Sequence, residues 1–153
     1  MFSRREVLQL KREFWTAFGQ YMKPVPFAEG EKNNWLNYKT GEKDIAFKMD
    51  AYNNEAIIAI ELTHADLGVQ QFYFEQFAAL KNLLKKAGIE DWNWELHSND
   101  ENGRTISKIF TKHQNVSLLN RADWSAIISF LKPRIIALDQ FWSEAKYAFE
   151  ALR

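Results

Sequence analysis

The chain has 153 residues, 46% of them hydrophobic, which is enough to bury roughly 70% of the surface its unfolded form would expose. Its formal net charge is zero, which argues against a dedicated nucleic-acid binder, because such proteins gain affinity chiefly by neutralising phosphates. It has no cysteine, which excludes disulfides, thiol nucleophiles, iron–sulfur clusters and thiolate zinc sites.

Charges interrupt the first fourteen residues where a secretory signal would need an apolar run, and no stretch approaches the ~18 apolar residues of a membrane span. A soluble, cytoplasmic protein is expected. No linker, repeat or low-complexity segment divides residues 1–153, so a single domain is expected as well.

Ser3-x-x-Glu6 has the pattern of a capping box that opens a helix running to about Met22. Val7, Leu10, Phe14, Ala17 and Tyr21 mark one apolar face of it, and Leu8, Trp15, Phe18 and Met22 widen that face, which predicts cover on both sides. Pro24 and Pro26 end the helix, and a loop follows to Asn34. Trp35–Lys39 reads as a short strand, and Thr40-Gly41-Glu42 turns into a second, Asp44–Asp50. Asn53-Asn54 suits a two-residue hairpin turn, since asparagine tolerates positive φ. Ala56–Thr63 returns as an apolar strand central in the sheet.

Residues 68–87 read as an amphipathic helix with Tyr73, Phe77, Leu80 and Leu84 on one face, ended by Gly88. Trp92, Trp94 and Leu96 alternate with Asn93, Glu95 and His97 as a fourth strand. After a polar turn at 99–103, residues 104–113 form a fifth. From Trp124 to Leu152 an apolar four–three spacing passes through Pro133 without losing phase, which predicts one kinked helix or two nearly collinear ones, capped by Asn120 or Asp123. The fold class expected is α+β, with order α-β-β-β-α-β-β-α. Its sheet has five strands and is largely antiparallel or mixed, with the long helices mainly on one side.

The phrases FWTAFGQYM (14–22), NWLNYKTG (34–41), EQFAALKNLL (75–84) and SFLKPRIIALDQFW (129–142) together resemble a bacterial family catalogued as a domain of unknown function. The resemblance covers nearly the whole chain. It implies a domain found alone or at the C-terminal end of longer proteins with nuclease-like or restriction-associated partners, and it brings no catalytic residues. The order α-β-β-β-α-β also resembles the PD-(D/E)xK nuclease core. In those enzymes an Asp on the second strand and an Asp or Glu on the third hold Mg²⁺, with a Lys two residues later. Asp50 and Glu61 match those acidic types, but Thr63 stands where the lysine should be.

The hairpin register tests that second resemblance. A turn centred between Asn53 and Asn54 sets Asp50 opposite Ile57 and Glu61 opposite Ala46. The two carboxylates then share a face but lie four residues apart, about 13 Å at ~3.3 Å per residue. One Mg²⁺, which binds oxygens at about 2.1 Å, cannot bridge them, and a bulge would move the register by one residue only. Lys48 becomes a diagonal neighbour of Glu61, close enough for an ion pair. Asp44 is the diagonal neighbour on the other side, and a polar cluster is favoured over a cation site there. Ile45, Phe47, Met49, Ile58, Ile60 and Leu62 take the core face. Asp44, Lys48, Asp50 and Glu61 thus remain the catalytic candidates, with none favoured.

His64, His97 and His113 bring no third ligand to the Glu95–His97 pair, so no metal or cofactor is expected. No GxSxG elbow or GK[ST] loop is present. Arg104, Lys108 and Lys112, with Ile106 and Phe110 between them, form the one basic row with interleaved aromatics that could bind a single strand. Protection of an edge strand explains the row as well and is favoured, so nucleic acid is not.

The C-terminal stripe could form a coiled-coil seam, but its bulky rings favour packing within the chain. A homodimer through leftover aromatic surface is a secondary expectation. The leading functional reading is a non-catalytic interaction domain. A nuclease-like enzyme or its inactive descendant is the alternative, and a small-ligand binder using Trp35, Tyr38 or Trp92 is a third.

Overall fold

The computed structural model describes residues 2–30 and 32–153. The elements are α1 (Arg4–Met22), β1 (Ile45–Ala51), β2 (Glu55–Leu62), α2 (Leu67–Ala79), α3 (Lys81–Lys86), β3 (Asn93–Asn99), β4 (Thr105–Gln114), a 3₁₀ turn at Arg121–Asp123, and α4 (Trp124–Glu150). The four strands lie in the order β1-β2-β4-β3 and are antiparallel throughout. The class is α+β, as expected, but the sheet has one strand fewer.

The missing strand is 35–39. Asn34 Oδ1 accepts from the backbone N–H groups of Leu36 (2.9 Å) and Asn37 (3.1 Å), and Asn33 Oδ1 accepts from that of Lys39 at 2.9 Å. These local bonds take the donors a sheet ladder would need, so the segment bends instead. Its rings still join the core, with Trp35 stacked on Phe27 at 4.2 Å and Tyr38 on Phe47 at 5.3 Å. Only two strands therefore separate α1 from α2, and the three-strand run of the nuclease-like order is not met.

The capping box at the start of α1 forms as the sequence indicates. Ser3 Oγ accepts from the Glu6 N–H and Glu6 Oε1 from the Ser3 N–H, both at 3.1 Å. Only one side of this helix is covered, however. Leu10, Phe14, Phe18 and Met22 are buried at steps of four, while Leu8 and Tyr21 are each 57% exposed.

The expected 68–87 helix is broken at Leu80 (φ −98°, ψ 18°) into α2 and α3. Asp66 caps α2 by accepting from Gly68 N–H at 2.8 Å and Val69 N–H at 3.1 Å. α4 runs unbroken for 27 residues through Pro133. Asn120 caps the 3₁₀ turn through the Ala122 N–H, whereas the Asp123 carboxylate takes the Ser117 N–H and makes no cap bond to α4.

The core joins all four helices to one sheet face. Ile45, Phe47, Ile58, Ile60, Leu62 and Ile109 pack there with Phe14, Phe77 and the α4 residues Leu131, Leu138, Trp142 and Phe149. The α4 stripe is thus consumed within the chain. Among the described residues no helix is long and apolar enough to cross a membrane. Ala59, Ile106 and Phe110 are also buried but stand outside that cluster, on the opposite face.

Candidate functional site

That opposite sheet face holds most of the residues singled out from sequence. The β1–β2 register is the one the Asn53-Asn54 turn dictates: Asp50 faces Ile57, Lys48 faces Ala59 and Ala46 faces Glu61. β4 lies on the other side of β2 and brings Lys108 directly opposite Glu61, Phe110 opposite Ala59 and Lys112 opposite Ile57. The β3–β4 pairing shifts between Glu95 and Ser98, where His97 takes φ +52°. Such a bulge increases local twist. The hairpin tip comes over the face, and the Tyr52 hydroxyl, just after β1, donates to Glu101 Oε1 at 3.2 Å. Asp100 shapes the tip by accepting from Asn102 N–H and Arg104 N–H at 2.9 and 2.8 Å.

Between tip and sheet lies a cleft of about 340 Å³. Ile57, Ala59 and Ile106 form its floor, and Lys48, Asp50, Tyr52, Glu61, Asp100 and Lys108 surround it. Arg104 flanks it, 3.8 Å from Asp100. Two predicted residues fall elsewhere. Asp44 is 3.9 Å from His64 Nε2, and Lys112 pairs with Glu55 at 3.3 Å.

The match to the family described as Domain of unknown function (DUF4268) spans residues 10–146, from α1 into α4. The chain belongs to this family. No curated protein and no solved structure matches it. The DUF4268 match includes every strand of the sheet and hence the whole cleft.

Within this DUF4268 chain the expected metal pairs do not converge. Asp50 and Glu61 stay four residues apart in register, and Asp50 Oδ1 accepts from the neighbouring Ala51 N–H at 2.8 Å. Glu95 pairs with Lys108 at 3.8 Å, while His97 Nε2 lies 3.0 Å from the Leu67 carbonyl oxygen. No group of three His, Asp or Glu that could hold a metal ion is found among the described residues.

The basic row on β4 is matched by acids, with Arg104 facing Asp100, Lys108 facing Glu95 and Lys112 facing Glu55. Lys108 and Lys112 also lie over the Phe110 ring, at 4.6 and 5.8 Å from its centroid. Glu61 sits between Lys48 and Lys108. Burial raises its carboxyl above the ordinary range; Lys48, Lys108 and Arg104 pull it down, and Asp100 adds to the rise. Burial, with Asp50 and Glu101 nearby, likewise raises the Tyr52 hydroxyl.

Because Glu61 binds its proton more tightly folded than unfolded, its contribution to stability is present at low pH and is lost as pH rises through the folded value. Glu61→Gln should therefore match or exceed the wild-type melting temperature at neutral pH. Its advantage should shrink as pH falls below about 4, near the unperturbed carboxylate value. Paired thermal melts across pH check this. A wild type more stable at neutral pH would show that the two lysines outweigh burial.

Sequence reasoning missed Tyr52, Asp100 and Glu101, which reach the cleft only through the bulge. It also missed Lys108 opposite Glu61, because that contact depends on β2 pairing with β4. Two-residue spacing around the Asn53-Asn54 turn was the only signal that bore on the rest.

Proposed function

We propose that this chain is a non-catalytic interaction domain that receives a partner protein on its helix-free sheet face, centred on the Glu61 cleft. The observation that carries this reading is the state of that face. Its apolar floor is roofed only by its own side chains and the hairpin tip, and its cations already face carboxylates. A surface of alternating, mutually matched charges over an apolar centre suits a mixed-charge protein surface. It is poorly suited to phosphates, which need cations that are free to replace counterions. Glu61 has ammonium groups beside it and no nucleophile to activate, which also favours binding over chemistry.

Immobilised wild type, Lys48→Glu and a control, Lys23→Glu at the far end of α1, should be exposed to lysate of the native host. A protein retained by wild type and control but lost by Lys48→Glu is the expected result. Equal retention by all three would overturn the assignment of this face. A labelled oligonucleotide that shifts more weakly as salt rises would replace the reading with nucleic-acid binding.

A further inference from the structure

A second concavity, about 490 Å³, opens between α3, the loop that follows it and the start of β3. Buried Leu84, Ile89 and Ile109 lie at its base, and half-buried Trp92 and Trp94 wall it. The size and the apolar base are those of small-molecule sites.

Its polar groups are donors without acceptors. Trp35, Trp124 and Trp142 give their indole N–H groups to the carbonyls of Val25, Leu118 and Thr40. Trp92 and Trp94 have no acceptor in the described chain. Since no buried side-chain nitrogen among the described residues lacks a partner, both of these N–H groups reach solvent. Lys81 and Lys85, four residues apart on one face of α3, add two ammonium groups. Among the described residues neither has a carboxylate within 4.0 Å. Like charges at this spacing disfavour a helix, and an anion between them would remove that cost.

The rim also carries Glu90 and Asp91, so a cation held against the two indoles is the competing occupant. Lys81 decides between them. Its Nζ already lies 5.0 Å from the Trp94 ring centroid, where a ligand cation would have to sit. The Trp94 ring is held in turn by Phe74, edge to face at 5.5 Å.

We infer that this pocket binds a small planar aromatic anion, its ring against Trp92 and Trp94 and its acidic group on Lys81 and Lys85. The site is separate from the Glu61 cleft and does not depend on it.

The probe is 2-naphthoate, with neutral 2-naphthylmethanol and cationic 2-naphthylmethylamine beside it, titrated into ¹⁵N-labelled full chain. Trp92→Phe and Trp94→Phe assign the indole N–H resonances. The naphthoate should shift those of Trp92 and Trp94 saturably and bind tightest of the three. Lys81→Gln/Lys85→Gln should weaken it about tenfold, the loss of one charge-assisted contact, with an unchanged melting temperature. Lys81→Gln alone should weaken it less. Equal affinity for all three probes would reduce the pocket to an apolar crevice and overturn the inference. Tighter binding of the amine, shifts confined to other tryptophans, or no saturable shift would overturn it too.

Discussion

Gln70→Ala is expected to destabilise the protein by about 3–5 kcal/mol, which is near 10 °C in melting temperature at about 2–4 °C per kcal/mol for this chain length. Gln70 is fully buried on α2, yet every polar atom of its side chain is used. Its Nε2 donates to the carbonyls of His64 and Thr105 at 3.0 and 3.1 Å, and its Oε1 accepts from the Ser107 hydroxyl at 2.6 Å. Ser107 Oγ in turn accepts from the His97 N–H at 3.0 Å, within the β3 bulge. Alanine strands two buried carbonyls and a hydroxyl and leaves a void beside them. The same loss should loosen the bulge that carries the hairpin tip. Faster hydrogen exchange at the His97 amide, alongside the denaturation measurement, is the second expected result. A cost below about 1 kcal/mol, the worth of one ordinary hydrogen bond, would mean that the network carries little.

Asp139→Ala should cost about 2–4 kcal/mol by a similar route, because two donors lose a charged acceptor inside the protein. Asp139 lies on α4 and is 5% exposed. Its Oδ2 accepts from the Ala28 N–H at 2.8 Å and its Oδ1 from the Tyr38 hydroxyl at 2.6 Å, so one carboxylate ties both ends of the irregular 28–38 segment to the longest helix. Burial, then the bond and charge of Asp139, raises the Tyr38 hydroxyl well above the ordinary tyrosine range. Asp139→Asn keeps an acceptor and should cost less. A double-mutant cycle with Tyr38→Phe should show coupling of about 1–3 kcal/mol. Additive losses would show that the Tyr38 bond is not what holds the segment.

These two residues mark where sequence reading stops. Gln70 and Asp139 look like surface residues in a helical pattern, and nothing local says that each is aimed inward at a backbone group tens of residues away. Trp35–Lys39 failed for a different reason. Its aromatic content suits a strand, but Asn33 and Asn34 supply side-chain acceptors that compete with pairing. The break at Leu80 left no mark in the apolar period, which continues through it.

What the sequence determined by itself rests on short-range physics. The Ser3–Glu6 box, the long phase through Pro133 and the Asn53-Asn54 turn each involve residues a few positions apart, where geometry leaves one good answer. The turn went furthest, because an even side-chain period carries its register down both strands and keeps Asp50 away from Glu61. Only the tertiary structure decided that β4 inserts between β2 and β3, which sets Lys108 against Glu61. It also decided that all the helices take one face, so the other stays open, and that a bulge at His97 bends the hairpin tip over that open face. Those outcomes are set by competition among distant apolar surfaces for the same partners, and no local spacing records which one wins.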